Sequence, residues 1–499
     1  MANASDTIDN HDERAPLLEA NRVRPASASR FRKLTVMIAA SILILAVDFG
    51  FYLTAAPQTK IFEDIVCQNY LTTLGSPADT VPTEGICKSE PVQSELALVN
   101  GWKETSDVLP GILLSVPYGV LADRWGRKPV LLLGLLGTLL GELWVRIVCL
   151  YSTVLPLRLV WLSGMWRLIG GGDITLSSIA LVMVADLFSE EEIATALFRL
   201  TSTVIVSEVL ATPVSAYLMA SDPWLPFMLG LGVSTLGSLA AFLMPETLND
   251  AKSKIDLTTV TSEDETRSSL NGKTSVKQYI KGRFQDLQDS ARLIIGSPAI
   301  AICLFALFVT SISKQSTSLL LLYTSKRFSW SIADASLLIS LRGIIILANY
   351  LLIMPGLSFL LIRYFKLSAK LKDLLLAQGS SFVSALGFFV IATAASRAIV
   401  ILGIVLFSLG AAFAVSCRSF VTSLVPPDRV GTLYSSAAAI TSSGMVIASP
   451  LLAYAFRLGL RLGPAWFGLP FLLAGGMYLL ASVSLLHLRV PDRVHADEA

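Results

Sequence analysis

Residues 119–129 read Gly119-Val120-Leu121-Ala122-Asp123-Arg124-Trp125-Gly126-Arg127-Lys128-Pro129. This short charged stretch, with a glycine inside it, separates two apolar runs near 99–121 and 130–151. Each run is close to the roughly 20 residues that a helix needs to cross about 30 Å of hydrocarbon. A net-basic joint between two crossings belongs on the cytosolic side of a membrane. Asp123 and Arg127 stand one helical turn apart, a spacing at which opposite charges meet.

The same pattern extends outward through the chain. Of its 499 residues, 53% are hydrophobic and 15% charged, against about 25% charged in soluble domains. The apolar residues fall into twelve blocks, near 34–56, 99–121, 130–151, 157–185, 197–220, 224–245, 298–322, 332–361, 374–394, 398–424, 432–456 and 466–488. Lipid offers no hydrogen-bond partners, so each block is expected to be helical. The fold class is an all-α polytopic membrane protein. The net charge of +2 is too small to point to nucleic acid.

Basic residues set the orientation. Arg22, Arg24, Arg30, Arg32 and Lys33 precede the first block, and Arg363, Lys366, Lys370 and Lys372 lie between the eighth and ninth. The connection 57–98 is acidic and is expected outside, with both termini cytosolic. Cys67 and Cys87 lie in that connection, where oxidising conditions permit a disulfide; two free thiols are the alternative. No cysteine spacing suits zinc, and no metal or cofactor is expected.

A polar segment, 247–296, divides the blocks six and six. It contains a low-complexity stretch expected to be disordered, then a helix expected to lie along the inner membrane surface. The resulting division is a cytosolic tail (1–33), a six-helix bundle (34–246), a central loop (247–296), a second six-helix bundle (297–489) and a short tail (490–499). Ala211–Tyr217 reads ATPVSAY in the fifth block and Ala448–Tyr454 reads ASPLLAY in the eleventh. This echo at equivalent places fits two repeated, pseudo-symmetric bundles around a cavity.

The stretch 119–129 resembles the signature of the major facilitator superfamily, a G-x-L-a-D-r-x-G-r-k pattern between its second and third helices. Arg167 with Gly171 resembles the family's fourth-helix R-x-x-x-G element, although Gly170 stands where glutamine is usual. Asp186 is similar to the acidic residue ending that helix, and Pro245-Glu246-Thr247 to the usual end of the sixth. The resemblance implies a cytosolic gate built from Gly119, Asp123, Arg124, Gly126, Arg127, Lys128 and Asp186, latching one of two conformations.

Charges inside crossings are functional candidates by default, because burying them in lipid is costly. Asp48, Arg167, Asp173, Glu208, Lys314, Gln315 and Arg342 are the candidates for a substrate or proton pathway. Glu142 is spaced to pair with Arg146. Six residues turn a regular helix through about 600°, so Arg167 and Asp173 are expected roughly 120° apart and not paired. Arg167 is then expected to face the pathway and bind an anionic or strongly polar group. Asp173 and Glu208 lead as proton carriers; a structural network is the alternative. Gly170, Gly171 and Gly172 allow close helix packing or a local break, and Pro213 and Pro450 mark packing or bending positions.

No G-x-x-x-x-G-K-[ST] phosphate loop is present and no catalytic cluster stands out, so the expected activity is secondary transport and not enzyme chemistry. The family resemblance makes protons the default coupling ion. Residues 87–130 are also similar to the proton-coupled folate transporter group, whose members import. The long polar tail and central loop resemble fungal facilitators, many of them exporters, and export of a small metabolite or toxin is favoured. Import of a small organic anion or nutrient is the alternative, and a non-transporting sensor a more distant one. Glu13, Leu17 and Leu18 fit an acidic dileucine signal for sorting adaptors. A monomer in the plasma membrane is expected, with a vacuolar or endosomal membrane second.

Overall fold

The computed structural model describes residues 30–75, 84–188, 190–248, 297–425 and 430–488. The dileucine residues Glu13, Leu17 and Leu18, nearly all of the central loop and the C-terminal tail lie outside the described residues. Helices carry nearly everything else. In chain order the main segment of each crossing is α1 (Arg30–Thr73), α2 (Glu90–Trp125), α3 (Arg127–Leu150), α4 (Gly172–Leu187), α5 (Glu190–Met219) and α6 (Trp224–Ser238). The second half follows with α7 (Pro298–Phe328), α8 (Ile332–Ala348), α9 (Ala369–Ala392), α10 (Arg397–Leu409), α11 (Val430–Leu462) and α12 (Leu469–Leu486).

Eleven helices among the described residues are long and apolar enough to cross a membrane. The fourth crossing falls short because it is interrupted. A 3-10 turn (Leu157–Leu162) and a single helical turn (Ser163–Trp166) precede α4, and Gly170, Gly171 and Gly172 between them all have positive φ. The eighth crossing likewise passes through a π turn (Asn349–Ile353), and the tenth through a 3-10 turn (Gly410–Ala412).

The acidic connection 57–98 is not the open loop its polarity suggests. α1 runs on to Thr73 and α2 starts at Glu90. Polar residues extend these helices where hydropathy stops: Lys60 pairs with Glu63 and Asp64 three and four residues on. A disulfide joins Cys67 near the end of α1 to Cys87 in a one-turn helix before α2. Beneath it Glu63, 1% exposed, accepts from Lys88 and Gln93.

Within the first half, α1 packs on α6 and α5, and α4 on α2 and α3; within the second, α9 packs on α12 and α10. The halves meet mainly along two seams, α2 against α11 and α5 against α8. The two copies of the sequence echo lie on α5 and α11, one at each seam, with Pro213 and Pro450 inside those helices. Hydrogen bonds joining the halves include Lys88 to Ser325, Ser449 to Gly101 and Ser340 to the Val209 carbonyl, all toward the disulfide end of the molecule.

Candidate functional site

The break before α4 brings Arg167 and Asp173 together. Because the chain is not helical from Arg167 through Gly171, the angular argument for separating them does not apply, and the Arg167 guanidinium pairs directly with the Asp173 carboxylate. It also lies 3.1 Å from Glu142 on α3 and 3.3 Å from Asp107 on α2. Asp107 is held in turn by Lys103 at 2.8 Å and by the Ser163 hydroxyl at 2.6 Å. Arg146 donates to Glu142 at 2.9 Å and to the Phe227 carbonyl of α6 at 2.7 Å. Three cations and three carboxylates thus form one continuous network in which each buried charge has an opposite neighbour.

This changes the expected part of Arg167. Its side chain is 4% exposed and three carboxylates surround it, so it lines the cavity as a neutralised member of the network and not as a free site for an anion. Arg146, 2% exposed, is likewise a buried member of the network. Lys103 and Asp107 were hidden in the sequence because they stand at the edge of an apolar run, where charges ordinarily meet water.

A cavity of about 520 Å³ borders the network, lined by α1, α3, α4, α5 and α6. Its walls are largely aliphatic, with Asp48, Glu142, Arg146, Arg167 and Asp173 as the charged groups. Asp173 is 58% exposed and accepts from Thr138 besides Arg167. Asp48, from α1, lines the same cavity without a hydrogen-bond or ion-pair partner among the described residues. An unpaired carboxylate thus stands near a paired one in a largely apolar pocket.

Glu208 and Arg342 form a separate unit. They pair at 2.6 Å across the α5–α8 seam, and the Tyr52 hydroxyl donates to Glu208 at 3.3 Å. This ion pair joins the two halves of the molecule. Gln315 lies on a narrow cleft between α2, α7 and α11 beside Glu104 and Ser449. The side chain of Lys314 lies outside the described residues.

At the other end, the stretch 119–129 builds a compact cluster. Arg127 pairs with Asp123 and approaches Asp186 at 3.4 Å; Thr247 donates to Asp186 at 3.0 Å. Glu246, which the sequence flagged only as part of Pro245-Glu246-Thr247, is the anchor: its carboxylate accepts from the backbone N–H groups of Arg127 at 2.8 Å and Lys128 at 3.1 Å. Partial burial pushes this carboxyl upward, but those amides and those of Thr247 and Leu248 outweigh it and hold it below the usual range. Lys128 caps the Phe242 carbonyl and Arg32 the Glu246 carbonyl, both at 2.7 Å. Gly126 has φ +115°, and a Cβ there would sit 2.4 Å from Glu246 Oε2, so only glycine fits. No atom comes within 4 Å of a Cβ built at Gly119, and the structure gives that residue no packing reason.

Comparison with known proteins agrees with this geometry. The description of the Major Facilitator Superfamily matches residues 38–449. The chain belongs to that superfamily. It is 36% identical to the MFS-type transporter avaK of Aspergillus versicolor, over 92% of this chain and 93% of that one. It is 33% identical to the MFS efflux pump atnC of Emericella nidulans, over 94% and 90%, and 35% identical to the efflux pump ustT of Aspergillus flavus, over 87% and 84%. Among solved structures, the xylose transporter XylE from E. coli in a partially occluded inward open conformation superposes with a TM-score of 0.57 at 16% identity, over 91% of this chain and 97% of that one. The nucleoside transporter NupG gives 0.62 at 14%, over 91% and 99%. The protein is thus a multi-pass membrane transporter of the superfamily, with a small-molecule substrate.

Proposed function

We propose that the protein exports a small organic metabolite across the plasma membrane in exchange for protons, by alternating access between its two halves, with both termini in the cytosol. The observation that carries export is the identity of 33% and 35% over most of the chain to proteins named efflux pumps. Proton coupling is supported by the cavity. Asp48 and Asp173 share it, the network has no spare cation for Asp48, and a carboxylate left unpaired in a largely apolar pocket favours taking up a proton. The aliphatic walls suit a substrate with a substantial apolar surface.

Untargeted mass spectrometry of cells with and without the protein tests the direction. A compound that builds up inside and disappears from the medium on deletion is expected. A compound left unconsumed in the medium would replace export by import. With that compound in hand, Asp48→Asn is expected to make flux insensitive to an imposed pH gradient while the protein accumulates normally; unchanged pH dependence would remove Asp48 from the proton pathway.

The signature cluster supports a gate. Asp123 is 54% exposed, and a pair so hydrated contributes no more than about 1 kcal/mol to the fold. Asp123→Asn is therefore expected to leave abundance near normal yet slow transport by biasing the gate. Normal transport rates in this variant would count against a latch.

A further inference from the structure

Glu104 takes no part in the network described above, although Lys103 and Asp107 flank it on α2. Its carboxylate lies at the α2–α11 seam in a cleft with Gln315 and Ser318 of α7 and Ser449 of α11. A Cβ on Gly101 would meet that of Ala453 at 2.8 Å. Of the charged groups near it, Lys103 is occupied by Asp107 at 2.8 Å. Neither α7 nor α11 brings a charged group to it among the described side chains, Lys314 on α7 lying outside them. Among the described side chains Glu104 makes no ion pair.

The hydrogens around Ser449 decide its state. Ser449 Oγ is 3.0 Å from the Gly101 carbonyl oxygen and 2.8 Å from Glu104 Oε2. A hydroxyl carries one hydrogen, and the Gly101 carbonyl, which also accepts from Thr105, can only accept. Both contacts are full hydrogen bonds only if Ser449 donates to Gly101 and Glu104 itself donates to Ser449.

We infer that Glu104 is protonated in this closed arrangement, and that its O–H to Ser449 makes closure of the disulfide end depend on one proton. Separating α2 from α11 there removes the acceptor, admits water and favours the carboxylate; closing the seam takes the proton back. The proton enters from the disulfide side and is held apart from Asp48 and Asp173. This inference rests on the alternating-access reading and assigns Glu104 the role of linking protonation to the gate.

Spin labels at Val154→Cys in the first half and Leu462→Cys in the second, both exposed at the disulfide end, report the separation by double electron–electron resonance in lipid nanodiscs. The open-to-closed ratio is expected to rise with pH, by at most about tenfold per pH unit, the limit that one linked proton sets. In Glu104→Gln, whose amide donates to Ser449 at every pH, the ratio is expected to be flat. A ratio that follows pH as in the parent, or a parent that does not respond, would overturn the inference. If Glu104→Gln fails to fold, Ser449→Ala replaces it: its midpoint is expected at lower pH, and an unmoved midpoint would overturn the inference equally. No transported compound enters this measurement, so failure to find an export substrate would strike the export reading alone.

Discussion

Arg167→Ala is expected to abolish most of the folded protein. The variant leaves Asp107, Glu142 and Asp173 with one cation fewer at the centre of the first half, where Arg167 is 4% exposed. Removing one partner from a buried ionic cluster costs about 3–5 kcal/mol because the remaining charges stay desolvated. Against a total stability of about 5–15 kcal/mol, that is enough to empty the native state on solubilisation. Lys103 and Arg146 still pair with Asp107 and Glu142, but each of these two largely buried carboxylates loses its second cation, and Asp173, 58% exposed, loses its one ion-pair partner among the described residues. Asp173→Asn in the Arg167→Ala background should recover part of the loss, as coupled positions do in a double-mutant cycle. Arg167→Lys is expected to fall between, since one ammonium cannot span three carboxylates as a guanidinium does. The checks are the thermal midpoint and the monodisperse yield in detergent; an Arg167→Ala protein as stable as the parent would show the network to be dispensable to the fold.

The second large effect comes from a single methyl group. Gly170 has φ +81°, and a Cβ there would lie 2.2 Å from the backbone nitrogen of Gly134 on α3. Gly170→Ala meets two penalties: about 1–2 kcal/mol for an L-residue in left-handed conformation, and a clash with backbone that no rotamer relieves. A loss of about 3 kcal/mol or more is expected, with α3 pushed away from the break and the Arg167–Glu142 contact pulled apart. Gly172→Ala provides the comparison. Its φ is +66° but the nearest atom stands at 3.6 Å, so only the conformational cost of about 1–2 kcal/mol applies. Equal thermal midpoints for the two variants would refute the packing account.

These glycines show where sequence reading stops. Hydropathy treats Leu155–Val184 as one crossing because glycine interrupts neither its apolar character nor its length, whereas the sign of φ, which breaks the helix, leaves no trace in composition. A regular helix through these residues separates Arg167 from Asp173, and a separated Arg167 invites an anion; the break removes both consequences. The signature cluster was far more legible. Asp123 and Arg127 are neighbours on one helix and sit at a joint whose side of the membrane charge alone indicates. Glu246 was less so, since its partners are the backbone amides of Arg127 and Lys128, more than a hundred residues away. Lys103, Glu104 and Asp107 lie inside the block 99–121 but near its start, and the helix that carries them inward begins nine residues earlier, at Glu90.

The bond between Cys67 and Cys87 reaches beyond its own hairpin. Lys88, the next residue, touches both Glu63 of the first half and Ser325 of the second. A thiol reductant added at solubilisation would therefore do more than protect free cysteines: it would cut the tether that positions Lys88 between the halves. The choice of purification buffer thus becomes an experimental variable, and samples prepared with and without reductant should not be pooled when conformations are compared.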